Sequence, residues 1–167
     1  LCCNIGGFAL HAKKAGARRV RAVDLDEVVL ERAEASAAAN KLEVEFIHAD
    51  TFNVCRAEIN QGIQNQVVIL DPHKLVRNKR MLEDGLVKYL DMNALALQCV
   101  RPGGLLATFS CSGAVELSDF VGTVFRAARR AERNIRVLEV LGAAPDHPQR
   151  PDFPRSRYLK GLMLAVD

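Results

Sequence analysis

Asn4-Ile5-Gly6-Gly7-Phe8, followed about twenty residues later by Val20-Arg21-Ala22-Val23-Asp24, decides how this chain is read. Two glycines follow an apolar strand end and precede a stretch of helical period. Glycine lets the backbone turn sharply and come close to a ligand, and a helix N-terminus offers free N–H groups. The next β-branched run stops on a carboxylate, Asp24, at the offset where an acid accepts hydrogen bonds from ribose hydroxyls. The spacing is not GxGxxG, so the dinucleotide fingerprint is absent and a plain reading stands beside the functional one. The glycines also make an ordinary strand-to-helix turn, and Asp24 is also a turn residue ahead of a helix capped by Asp26.

Working outward, brief β-branched runs alternate with longer Ala-rich stretches of helical period. This alternation predicts an α/β fold with a mainly parallel central sheet and helices on both faces. Strands are expected at Val20–Val23, Val44–Ile47, Val67–Leu70 and Leu105–Phe109, with a later pair at Val137–Val140 and Leu159–Ala165. Helices are expected at Phe8–Lys14, Glu27–Ala39, Met81–Cys99 and Ser118–Glu132, the last with Ser118 as its N-cap. Gly142 to Arg157, rich in Pro and Asp and without apolar period, reads as a long surface loop.

The 167 residues suit one domain, taken as residues 1–167. Apolar residues make up 49% and charged residues 26%, the balance of a soluble protein, and no apolar run reaches the roughly 20 residues of a membrane span. Five cysteines form an odd set without CxxC spacing, which fits a reducing, cytoplasmic setting. A net charge of +3 permits a nucleic-acid partner without demanding one. The chain opens on Leu1 directly into the strand-to-glycine transition, which leads to the expectation of a fragment with a truncated first strand.

In this architecture chemistry gathers at the carboxyl ends of strands. His48-Ala49-Asp50-Thr51-Phe52 puts Asp50 where an adenine amine can be bound, or where a strand simply ends. Asp71-Pro72-His73-Lys74 gives a stiff loop whose carboxylate can orient a base or amine. Beyond the Arg101-Pro102-Gly103-Gly104 turn, Ser110-Cys111-Ser112-Gly113 sets a cysteine among small polar residues, a setting suited to a nucleophile, although cysteine also serves as a buried hydrophobe. Lys74, Arg77, Lys79 and Arg80 suit RNA phosphates or a solvated helix start, and Arg129, Arg130, Arg133 and Arg136 read as surface. His11 and His48 lack companions at metal-ligand spacing, so no metal is expected.

Taken in order, these segments resemble the bacterial large-subunit ribosomal RNA cytosine-C5 methyltransferases whose catalytic domain follows a PUA domain. The resemblance is carried by Asn4-Ile5-Gly6-Gly7-Phe8, Val23-Asp24, Ala49-Asp50-Thr51-Phe52, Leu70-Asp71-Pro72-His73-Lys74 and Phe109-Ser110-Cys111-Ser112-Gly113, and continues through Asp146-His147-Pro148 and Tyr158-Leu159-Lys160-Gly161. It implies a Rossmann-like class I methyltransferase fold with S-adenosylmethionine (SAM) as cofactor and RNA as partner, without the family's N-terminal RNA-binding region. It assigns Asn4, Gly6, Gly7, Asp24, Asp50 and Asp71 to the cofactor site. Cys111 and Asp71 become catalytic, while Pro72, His73, Lys74 and Arg77 face the substrate, and Asp146-His147-Pro148 helps frame the rim.

C5 of a pyrimidine is too weak a nucleophile to attack a sulfonium methyl directly, and in such enzymes a cysteine thiolate first adds to C6. The sequence departs from the family at His73, where a second proline is usual, and at Asn4-Ile5, where Tyr-Thr is usual. Two other readings stay open: a class I methyltransferase with a different acceptor, and a non-catalytic module that keeps the fold to bind RNA or protein.

Overall fold

Strand β1 (Arg21–Asp24) and strand β2 (Glu45–His48) pair in parallel, Arg21 facing Glu45 and Asp24 facing His48. This computed structural model describes residues 1–145 and 147–167, so Asp146 of the Asp-His-Pro stretch lies outside the described residues. Two compact units divide the chain, Leu1–Ala57 and Glu58–Asp167.

In the first unit, helix α1 (Gly7–Lys14) follows the glycine turn and helix α2 (Glu27–Ala39) links the two strands. Parallel neighbours need such a crossover because their ends lie at opposite edges of the sheet. Asp26 caps α2 as expected, its side chain accepting from the N–H groups of Val28 and Val29. Ala22, Val23, Leu30, Ala33 and Ala37 are buried. Helix α3 (Thr51–Asn60), which the apolar pattern does not announce, begins here and runs across the unit boundary.

The second unit holds a four-stranded sheet in the order β3-β4-β6-β5, with β3 Asn65–Leu70, β4 Val100–Ser110, β5 Ile135–Leu141 and β6 Lys160–Val166. β3 and β4 are parallel, while β6 runs antiparallel to both β4 and β5, so β6 alone is reversed. Arg101 to Gly104 is a bulge within β4 rather than a turn before it: the register passes from Asn65 facing Val100 to Val67 facing Leu105. Five consecutive β4 residues, Leu106 to Ser110, are buried, as expected of a central strand covered on both faces. Gly161 lies opposite Phe109, and a Cβ there would stand 2.5 Å from the Phe109 ring; a side chain at this position would push β6 off β4.

Helices α4 (Leu82–Gln98) and α5 (Leu117–Arg130) pack together, with the Tyr89 and Phe120 rings edge to face at 5.6 Å. α5 starts earlier than its sequence suggests. Glu116 is the N-cap without a side-chain cap bond, and Ser118 sits inside the first turn, because the turn from Ser112 to Val115 has already set the helical direction. Among the described residues from Gly142 to Arg157 there are a short 3-10 turn at Pro154–Ser156 and a bridge between Arg150 and Phe153, and no helix or strand longer than these.

Candidate functional site

In the first unit the glycine turn is locked onto Asp24. Asn4 sits in the left-handed region at φ 49°, which asparagine tolerates better than most residues, and its N–H donates to Asp24 Oδ2 at 2.8 Å. Oδ1 of Asp24 accepts from the N–H groups of Leu25 at 2.8 Å and Asp26 at 3.1 Å. Three backbone donors thus fix a half-buried carboxylate at the end of β1, and two carboxylate oxygens have lone pairs for about four bonds. Asp24 thus shapes the turn and keeps acceptor capacity.

The two glycines differ. Gly6 is buried at φ +77°, and a Cβ there would lie 3.2 Å from Ala33 Cβ and from the Phe46 ring, so packing and backbone explain it without a ligand. Gly7 opens α1, is exposed, and would place a Cβ in open space, which leaves its backbone approachable. Asp50, half-buried, accepts the Asn53 N–H at 3.1 Å and so caps the first turn of α3.

In the second unit Asp71 follows β3 and Cys111 follows β4, and these strands are parallel neighbours with Leu70 facing Thr108. Carboxyl and thiol therefore leave the same end of one sheet, both half-buried. The Cys111 thiol points at the Pro72 carbonyl oxygen at 3.8 Å. Beneath it lies a polar network of fully buried side chains. The Tyr89 hydroxyl bonds Ser110 Oγ at 2.9 Å and Ser112 Oγ at 3.0 Å, and Ser112 Oγ accepts the Val76 N–H at 3.1 Å. Lys160, also buried, donates through Nζ to the Ser112 carbonyl at 2.8 Å.

Burial sets the protonation of this cluster. Loss of hydration pushes the Asp71 carboxyl and the Cys111 thiol above their ordinary values. The negative charge of Asp71 raises Cys111 further, and Lys74 and Lys160 pull it back. Burial lowers the Lys160 ammonium, opposed by Glu116 and Cys111. In the first unit the half-buried Cys3 thiol is pushed up to about 11, chiefly by burial, and Cys55 and Cys99 are buried in the apolar interior. Of the five cysteines, Cys111 stands among the acid and lysines just described.

Pro72 is buried, whereas His73, Lys74, Arg77, Lys79 and Arg80 are exposed on the loop and 3-10 turn (Lys79–Met81) before α4. Arg133 is not a surface cation. Its guanidinium donates to the backbone oxygens of Leu97, Val100 and Asp167, tying the end of α4 to β4 and to Asp167. Arg130 and Arg136 pair with Asp91 and Asp167. Among the described residues no cluster of three metal-ligating side chains occurs, and no helix is long and apolar enough to cross a membrane.

Tyr89, Ser110, Ser112 and Lys160 belong to the Cys111 surroundings, yet spacing alone gives them no role. Lys160 stands in the Tyr158–Gly161 stretch that carries the resemblance, and a lysine opening an apolar strand is the one signal that marks it. Tyr89 sits in an apolar helix and looks like core until its hydroxyl partners are seen.

A parallel pair, a second sheet with a single reversed strand, a glycine turn and strand-end carboxylates define the class: the fold is that of class I SAM-dependent methyltransferases. A candidate methyltransferase solved with SAH superimposes with a TM-score of 0.83 at 19% identity, covering 98% of this chain and 43% of that one. Closer in sequence is Ribosomal RNA large subunit methyltransferase I of Aeromonas salmonicida, 40% identical over 164 residues, 96% of this chain and 41% of the relative. The enzyme of the same name from Shewanella frigidimarina is 38% identical over 167 residues, 98% of this chain and 42% of the relative. The chain thus spans about two fifths of the length of these curated relatives. No protein-family model matches it.

Proposed function

We propose that this chain is the catalytic part of a SAM-dependent methyltransferase that modifies C5 of a cytosine in RNA, with large-subunit ribosomal RNA in the cytoplasm as the substrate. The observation that carries it is the pair of Asp71 and Cys111 at the ends of adjacent parallel strands, with the thiol half-exposed beside the Pro72 carbonyl. The names of the curated relatives support ribosomal RNA as the acceptor.

The residues of the first unit fit SAM: Asp24 is anchored and keeps acceptor capacity for ribose hydroxyls, Gly7 leaves space for the methionine part beside Asn4 and Gly6, and Asp50, just after β2, would take the adenine amine. SAM supplies an electrophilic methyl group. Cys111, as thiolate, would add to C6 of the cytosine and move an electron pair onto C5, which would take the methyl group from SAM, the S–CH3 pair staying on the departing sulfur as a neutral thioether. Loss of the C5 proton to a base then returns the pair, breaks the S–C6 bond and frees the thiolate. Asp71, whose carboxyl burial pushes up, hydrogen-bonds the ring nitrogen or amine and stabilises the electron-rich adduct. Pro72 stiffens the loop, and His73, Lys74 and Arg77 meet the RNA.

RNA bearing 5-fluorocytidine tests this, since fluorine at C5 blocks the last step and leaves the adduct on sulfur. A SAM-dependent covalent complex that Cys111→Ala abolishes is the expected result. A complex that survives the substitution, or none with SAM bound, overturns it in favour of another acceptor. Calorimetry with SAM separates the non-catalytic module: binding heat that Asp24→Ala removes is expected of the enzyme, and a wild-type chain without heat points to a module.

A further inference from the structure

We propose that Lys160 is a positioning residue for Cys111, its buried ammonium clamping the backbone beside the thiol and stabilising the thiolate through space. This rests on the reading of Cys111 as the nucleophile. Lys160 opens β6 opposite Ser110 in the antiparallel register, so the strand pairing brings it beside the end of β4. It is only 8% exposed, and its Nζ donates to the Ser112 carbonyl at 2.8 Å. A lysine is almost never buried this far unless it is paired, and the hydrogen bond that Nζ makes to Ser112 is to a neutral carbonyl.

Ser112, the residue after the thiol, is thereby held at both ends, its hydroxyl by Tyr89 and the Val76 N–H and its carbonyl by Lys160. The charges and titratable groups facing Cys111 are Asp71 from the end of β3, Lys74 from the following loop, Tyr89 from α4 and Lys160 from β6, with Glu116 before α5 acting on Lys160. Asp71 and burial oppose thiolate formation, and the two lysines favour it. Lys74 is exposed and screened by water, whereas Lys160 is buried and acts in a lower dielectric.

The test is the pH dependence of iodoacetamide alkylation at Cys111, read peptide by peptide in the full chain. In that reaction the thiol proton goes to buffer, the S–C bond forms and iodide leaves. Lys160→Met is expected to raise the midpoint and slow neutral-pH alkylation on the order of tenfold, one unit of pKa, while Lys160→Arg restores most of it. Lys160→Gln keeps an N–H donor for Ser112 but lacks the charge, so it carries the test if the methionine variant does not fold. A midpoint and rate equal to wild type in a folded Lys160→Met or Lys160→Gln overturns the proposal. Alkylation needs neither RNA nor SAM, so failure of the fluorocytidine trap and failure of this coupling are separate outcomes.

Discussion

Asp71 loses hydration at the end of β3, and its carboxyl is held above the ordinary range for that reason first. The sign of the consequence for stability follows from linkage. With the folded-state pKa raised, the fold binds this proton more tightly than the unfolded chain does. The stabilising share is present at low pH and is lost as pH rises through the folded pKa. At neutral pH the ionised side chain therefore weighs against folding, and Asp71→Asn is expected to melt a few degrees higher than wild type. The gain should vanish in acid, and adduct formation with fluorocytidine RNA should fall. Thermal melts of both proteins from pH 3 to pH 8 check it, and a variant that is less stable at neutral pH would show that the charged form is instead held by a partner. Asp71 and Cys111 were legible from sequence because each ends an apolar run. Tyr89, which bonds the two serines flanking Cys111, was not, because a buried aromatic at helical spacing looks the same whether or not its hydroxyl is engaged.

The elements were legible where apolar residues set a period and obscure where polar contacts set the boundary. β1, β2 and β6 fall within about a residue of their apolar runs, which set their bounds. α3 escaped because its buried positions are Thr51, Cys55 and Glu58, two of them polar, which an apolar pattern does not mark; at its start the carboxylate of Asp50 accepts the Asn53 N–H. β5 lies at the sheet edge with Val137, Leu138 and Val140 exposed, and its Arg-Val-Leu-Glu-Val pattern shows no clean inner face. Arg133 shows the same limit in a charged residue, since only the fold brings the carbonyls of Leu97, Val100 and Asp167 to one guanidinium. Arg133→Ala would leave those carbonyls without their donor. It is expected to cost about 1–3 kcal/mol in denaturant unfolding while leaving RNA affinity unchanged. A loss of RNA affinity without loss of stability would return Arg133 to the surface role that its sequence suggests.

At the scale of the whole chain a net charge of +3 says little, because what matters for RNA is where uncompensated cations sit. Arg130 and Arg136 face carboxylates and Arg133 faces carbonyls, so the C-terminal basic cluster is largely spent on the protein itself. Lys74, Arg77, Lys79 and Arg80 are exposed, and among the described residues none of the four is in an ion pair. They follow Asp71 within the same unit, so an RNA strand presenting a base to Asp71 and Cys111 would run its phosphates past them. Each phosphate neutralised releases counterions, and for a single strand the slope of log affinity against log salt falls by roughly 0.7 per contact. Replacing Arg77, Lys79 and Arg80 together by alanine should therefore lower that slope by about 2 for a single-stranded RNA, with SAM affinity unchanged. Replacing Arg129, Arg130 and Arg136 should leave it nearly intact. Equal slopes in the first variant and the wild type would mean that the RNA backbone takes another path and that this basic loop is only a solvated approach to α4.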